Sequence, residues 1–142
     1  MVVDSDPAHA QIALKVLSGC AEEVSLLTSG SEAIMHLTDD AAKTSLPILV
    51  VLHLEESRAQ VVEILKKMRV ERATENIPFL ILTGTLEEKE FLEQFEAKLC
   101  SCVIKPLTFG KLVYALPALG MTINDSVIYS KAESTETSLA YH

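Results

Sequence analysis

Two stretches of this chain tolerate very few environments. Ile48 to Leu54 reads Ile-Leu-Val-Val-Leu-His-Leu, and Ile77 to Leu82 reads Ile-Pro-Phe-Leu-Ile-Leu. Each is a short, nearly unbroken apolar run, the signature of a parallel strand covered on both faces. Such strands need helices above and below them, and the intervening segments supply apolar residues at helical spacing. Ile12, Val16 and Leu17 form one such set, Ala33, Ile34 and Leu37 a second, and Val61, Leu65 and Met68, with Val62 and Ile64 beside them, a third.

The remaining pieces complete the alternation. Met1 to Val3 is a short first strand, and in the following Asp4-Ser5-Asp6-Pro7, Asp6 suits a helix cap and Pro7 the first helical position. Gly19 suits the end of that helix. Val24 to Leu27 reads as a second strand, Asp39 to Leu46 as a polar connection and Glu71 to Asn76 as the polar end of the third helix. Thr85-x-x-Glu88 is a capping box for a fourth helix with Phe91, Leu92 and Phe95 inward. Leu99 to Ile104 is a fifth strand that Lys105-Pro106 ends. Thr108 caps a last helix with Leu112, Val113 and Leu116 inward, which Pro117 and Gly120 terminate.

Five strand-helix units predict a doubly wound, five-stranded parallel sheet with helices on both faces, a flavodoxin-like (βα)5 architecture, because each parallel connection needs a right-handed crossover. Residues 1–120 are assigned to this domain. Residues 121–142 contain no further unit of that kind, and Ser130 to Ser138 is rich in Ser, Thr and Glu, so a flexible tail or linker is expected, with Val127-Ile128-Tyr129 able to dock.

Charge and cysteine usage narrow the function classes. Twelve Lys and Arg against 20 Asp and Glu leave a formal charge of -8, which repels a phosphate backbone or an anionic membrane surface. No apolar run approaches the about 20 residues needed to span a bilayer, and no basic segment precedes an apolar one at the N-terminus, so a cytoplasmic protein is expected. Cys20, Cys100 and Cys102 lack a C-x-x-C spacing, which argues for free thiols rather than a disulfide framework or a zinc site. Cys100 and Cys102, two apart on a strand, share a face and are expected to pack there.

In a doubly wound sheet, ligands sit outside the carboxyl ends of the strands. The residues there are Asp4, Ser5 and Asp6, then His53, then Thr83 and Gly84, then Lys105 and Pro106. Over residues 1–120 the sequence resembles the CheY-like receiver domains of two-component response regulators. Val2-Val3-Asp4-Ser5-Asp6-Pro7 is similar to the acidic motif that closes the family's first strand. Ile77 to Gly84 resembles its fourth strand with the switch hydroxyl at Thr83, and Val103-Ile104-Lys105-Pro106-Leu107 its Lys-Pro motif.

The resemblance implies phosphoryl transfer from a phosphohistidine to an Asp at the end of strand three, with Mg2+, a hydroxyl and a lysine assisting. Here that position holds His53, and an imidazole cannot form an acyl phosphate and is a poor ligand for Mg2+. Ser5 replaces a carboxylate of the acidic motif, so a metal held by Asp4 and Asp6 would be weak or lost. Ser57 and Val61 stand where the family's acceptor loop carries Pro and Gly, and Cys102 stands where its switch aromatic lies.

The expectation is therefore a pseudo-receiver: no enzyme, no cofactor beyond weakly held Mg2+, with Asp4 and Asp6 reduced to polar end and cap, Thr83 bonded to backbone, Lys105 paired with Asp4, and His53 a hydrogen-bonded filler. Its partner is expected to be a protein, whether a histidine kinase, an output domain or a second copy, and not nucleic acid or membrane. The surface that the resemblance implies is the fourth helix, fifth strand and fifth helix, where Glu87, Glu88, Glu90, Glu93 and Glu96 make an acidic stripe beside Cys102. Two alternatives remain: a phosphorelay or metal site using His53 with Asp4 and Asp6, and a small flavodoxin-like ligand-binding protein, although no glycine-rich loop follows the first strand.

Overall fold

The computed structural model describes residues 1–21, 23–38, 46–53, 58–70, 74–93, 99–124 and 127–130. Five parallel strands, β1 (Val2–Asp4), β2 (Leu26–Leu27), β3 (Val50–His53), β4 (Phe79–Thr83) and β5 (Cys100–Ile104), form one sheet in the order β2-β1-β3-β4-β5. Helices α1 (Pro7–Ser18), α2 (Gly30–Thr38), α3 (Arg58–Val70), α4 (Leu86–Glu93) and α5 (Phe109–Ala115) alternate with them. The order reverses between β1 and β3, which places the switch point at the carboxyl ends of those two strands.

Strand alternation builds two cores. Val2, Val51, Leu80, Leu82 and Val103 pack against α1 and α5 with Ala13, Leu17, Leu112 and Ala115. Val3, Val50, Leu52, Phe79, Ile81 and Cys102 turn to the other face, against Ala33 and Leu37 of α2 and Val61, Ile64, Leu65 and Met68 of α3. Every residue of β1, β3 and β4 is buried, the environment that their unbroken apolar runs require.

The caps follow from side-chain chemistry. Asp6 accepts from the Ala8 amide at 2.9 Å, with Pro7 opening α1, and Thr108 accepts from the Lys111 amide at 3.2 Å at the start of α5. Asp6→Ala is expected to cost about 1 kcal/mol, read as a lower urea midpoint with an unchanged slope. In α4 the Glu88 amide bonds Thr85 Oγ1 at 3.1 Å, while the Glu88 carboxylate reaches past it to the Gly84 amide at 2.9 Å. Gly120 closes a 3-10 turn (Leu116–Leu119) at φ +70°, a left-handed conformation that suits glycine.

Several expectations are corrected. Ile12 and Val113 are 44% and 43% exposed, because the buried stripes run through Ala10, Ala13 and Leu17 in α1 and through Leu112 and Ala115 in α5. Small alanines let α1 approach the sheet closely and leave its larger side chain at position 12 outside. Val61 belongs to α3 and is buried, so it is no loop residue; Ser57 lies outside the described residues. Phe95 also lies outside them, and of the side chains of Phe91 and Leu92 nothing is described. The packed structure does not end at residue 120. Strands β6 (Met121–Asn124) and β7 (Val127–Ser130) form an antiparallel hairpin, with Met121 and Ile128 buried in the α1/α5 core and the Ile128 amide bonded to the Cys20 carbonyl at 3.0 Å. Residues 131–142 lie outside the described residues.

Candidate functional site

At the switch point, parallel pairing sets Asp4 directly beside His53. Both are buried, at 1% and 4% exposure. His53 Nδ1 lies 3.0 Å from Asp4 Oδ1, and His53 Nε2 lies 2.9 Å from Lys105 Nζ, which arrives from the end of β5. An ammonium only donates, so Nε2 accepts, the ring carries its proton on Nδ1, and that proton goes to the Asp4 carboxylate. The three groups form one chain, carboxylate to imidazole to ammonium, whose formal charges cancel.

This changes the pairing expected for Lys105. The ammonium meets His53 rather than Asp4, because the imidazole fills the space between them. The Asp6 amide bonds the same Asp4 oxygen at 2.8 Å, while Asp4 Oδ2 is buried with no hydrogen-bond partner among the described residues. Thr83, also buried, has its hydroxyl 3.4 Å from the Val103 carbonyl, a long bond to neighbouring backbone. The Lys105–Pro106 peptide is cis.

Ser5 does not join this chain. It is exposed and lines a cavity of about 350 Å³ with Thr28, Ser29, Gly30, Gln60 and Lys67. Asp6 spends its carboxylate on the α1 cap. Among the described residues no group of three or more His, Cys, Asp or Glu side chains converges as a metal site would require.

One participant was not anticipated from sequence. His9, in the first turn of α1, stacks on His53 with ring centroids 5.3 Å apart and planes 26° apart. Its place, three residues after the Asp6 cap and over the end of β1, was the available signal. Lys105 also stands against the β4-α4 turn: a Cβ added at Gly84 would lie 3.7 Å from Lys105 Cε.

The face made by α4, β5 and α5 has a different character. β5 is an edge strand, and Ser101, Cys102, Val103 and Ile104 line a groove of about 550 Å³ together with Lys89, Lys111 and Tyr114. Four consecutive strand residues can line one groove only where it runs along the strand edge. Around it Leu86, Phe109, Val113 and Tyr114 are exposed, Tyr114 at 89%. Lys111 Nζ is tied to the carbonyls of Ile104 at 2.8 Å and Pro106 at 3.1 Å. Glu90 is exposed on α4, the Glu93 side chain is outside what is described, and Cys102 is buried beneath the face.

Solved structures share this architecture. The bacteriophytochrome response regulator AtBRR matches with a TM-score of 0.73 at 26% identity, over 84% of this chain and 89% of its own. The chain shares the fold of response-regulator receiver domains. The bacteriophytochrome response regulator RtBRR matches the receiver-like chain with a TM-score of 0.74 at 26% identity, over 87% of this chain and 78% of its own. The N-terminal domain of a response regulator receiver protein from Methanoculleus marisnigri follows at 0.55 and 26%, over 80% and 89%. No protein-family model matches, and no curated protein matches in sequence. Among the described residues, no helix of this receiver-like domain is long and apolar enough to cross a membrane.

Proposed function

We propose that this receiver-like domain serves two-component-type signalling as a phosphorylation-independent protein-interaction module and is not an enzyme. The observation that carries the reading is the engagement of both nitrogens of His53, one by Asp4 and one by Lys105. Phosphoryl transfer to an aspartate needs a carboxylate nucleophile, a divalent cation among oxygen ligands and a lysine available to the incoming phosphoryl group. Here an imidazole holds the acceptor position and the lysine is spent on it.

The donors present do not suit Mg2+. That ion takes hard oxygen ligands, and the position facing Asp4 offers a nitrogen whose lone pair is already shared with an ammonium. Among the described residues, Asp4 Oδ2 is the one carboxylate oxygen of the trio without a hydrogen bond, and Ser5 brings no charge.

The working surface in this reading is α4-β5-α5, where exposed Phe109, Val113 and Tyr114 stand beside the edge groove. Its partner is a protein: a histidine kinase, an output domain or a second copy. The aromatics supply contact area and the acidic side chains of α4 steer a basic rim toward it. A partner captured from cell extract is expected to bind equally with and without a phosphoryl donor. Its association rate should fall as salt rises and fall again in Glu90→Lys, by about threefold to tenfold at low ionic strength. Binding that appears only after phosphoryl donor is added, or that ignores both salt and Glu90→Lys, overturns the reading.

A further inference from the structure

The bond that keeps Lys105 from a phosphoryl group gives its amine a different reactivity. Lys105 is half-buried, and its ammonium meets a neutral imidazole instead of an anion. Nζ lies 2.9 Å from His53 Nε2, and among the described residues no carboxylate forms an ion pair with it. The carboxylate of the trio stands one ring further back, with Asp4 Oδ1 3.0 Å from His53 Nδ1. An amine within hydrogen-bond reach of a base, with that base held in turn by a third group, is the arrangement that activates nucleophiles. Passing one ammonium proton to Nε2 moves the positive charge onto a ring already in contact with the Asp4 carboxylate. That closer charge pairing offsets part of the cost of making a neutral amine.

There is also room for a small electrophile. A Cβ added at Gly84 would lie 3.7 Å from Lys105 Cε and 4.0 Å from Nζ, ordinary contact distances, so a carbon-sized space stands beside the amine. Gly84 and Thr85 are exposed, which opens that space to solvent. Glu88 Oε2 bounds it at 3.6 Å and is tied to the Gly84 amide at 2.9 Å. A neutral electrophile is indifferent to the chain's formal charge of -8, which repels bicarbonate or an acyl phosphate. We infer that Lys105 is a carbon dioxide site, at which the amine is reversibly converted to a carbamate held by His53.

The step balances without an oxidant or reductant. One ammonium proton passes to His53 Nε2, and the freed Nζ lone pair forms a bond to the carbon of carbon dioxide. One C=O π pair moves onto oxygen, and a second nitrogen proton leaves to water, so the product is an N–H carbamate anion. Nε2, now protonated, donates to a carbamate oxygen, which puts the imidazolium between two anions, Asp4 on Nδ1 and the carbamate on Nε2. Loss of carbon dioxide reverses the sequence. What decides occupancy is what meets the new anion. His53 supplies a charged donor to it. His9 stacks on that ring, Asp6 is committed to the α1 cap, and Glu88 is the neighbour among the described residues that opposes the added charge. The inference rests on the imidazole-ammonium bond and not on the interaction surface proposed above.

The test equilibrates the full chain with carbon dioxide and bicarbonate, traps carbamates by O-ethylation with a trialkyloxonium salt, and locates the ethylated lysines by peptide mass spectrometry. Lys66, exposed on α3, is the internal reference. At neutral pH Lys105 should carry at least about tenfold more trapped carbamate than Lys66, and His53→Gln should bring it down to the Lys66 level. Because His53 keeps one of the two protons, the ratio of carbamate to amine at Lys105 should rise about tenfold per pH unit at fixed carbon dioxide pressure, against about a hundredfold at Lys66. Glu88→Gln leaves the trio intact and removes the opposing charge, so it should raise the ratio at Lys105 by about threefold, whether or not His53→Gln folds. Lys105 trapped no more than Lys66, a pH dependence at Lys105 as steep as that at Lys66, or an unchanged ratio in Glu88→Gln each overturn the inference.

Discussion

Acetyl phosphate with Mg2+ is expected to leave the intact mass of this protein unchanged. An acyl phosphate needs a carboxylate nucleophile, and the residue paired with Asp4 across β1 and β3 is an imidazole. Its Nε2 lone pair, the remaining candidate nucleophile, points at the Lys105 ammonium 2.9 Å away, so attack would first have to break that bond. A stoichiometric gain of one phosphoryl group defeats the reading, and its lability distinguishes the variants of defeat: an acid-labile, alkali-stable adduct would be a phosphohistidine. In the proposed reading, His53→Asp supplies a carboxylate nucleophile without supplying the metal site, because Ser5 still brings no carboxylate. Adding Ser5→Asp is expected to tighten Mg2+ by about tenfold or more in calorimetry. Equal affinities in the single and double variants would show that Ser5 is not the deficit.

Removing the ring should also weaken the fold. His53→Leu keeps apolar volume but leaves the 1%-exposed Asp4 carboxylate with only the Asp6 amide on one oxygen. Breaking a buried pair by deleting one member strands the other charge, and the expected loss is about 3 kcal/mol. In a domain of this size that corresponds to a fall of about 10 °C in Tm. His53→Asn is the informative companion, since its amide sits near the Nδ1 position and donates to Asp4 but does not reach Lys105. It should recover part of the loss, and the Leu-to-Asn difference isolates the Asp4 bond. If His53→Leu unfolds at the wild-type urea midpoint, the carboxylate-imidazole-ammonium chain contributes nothing to stability.

The strands of the central sheet were legible because burial on both faces leaves no other composition available to them. Ile48 to Leu54 and Ile77 to Leu82 enclose most of β3 and β4, with the edges shifted by two residues at the start of each. Both shifts come at prolines: Pro47 precedes the first run and Pro78 lies inside the second, where a residue without an amide proton delays entry into the ladder. The hairpin was missed for the opposite reason. Met121-Thr-Ile-Asn and Val-Ile-Tyr-Ser flank Asp125-Ser126, a polar pair that in sequence is a turn signal, but four residues per strand carry little periodicity beside a Ser- and Thr-rich continuation. At the site, the residue types after each strand were readable and their partners were not. Whether Lys105 reached Asp4 or stopped at His53 depended on how far the ring projects from β3, and spacing along the chain does not encode that.

The hairpin gives the sheet two unlike ends. Where the strands finish, His53 and Lys105 meet among polar turns; where they begin, Ile128 sits with Leu17, Leu49 and Val51 and holds the end of α1 through the Cys20 carbonyl. In hydrogen-exchange experiments the amides of Val2 and Val51, bonded to the carbonyls of Ser25 and Met1, should be among the last to exchange. Opening at that end has to lift the hairpin first, which makes β6 and β7 a latch on the slowest-breathing part of the molecule.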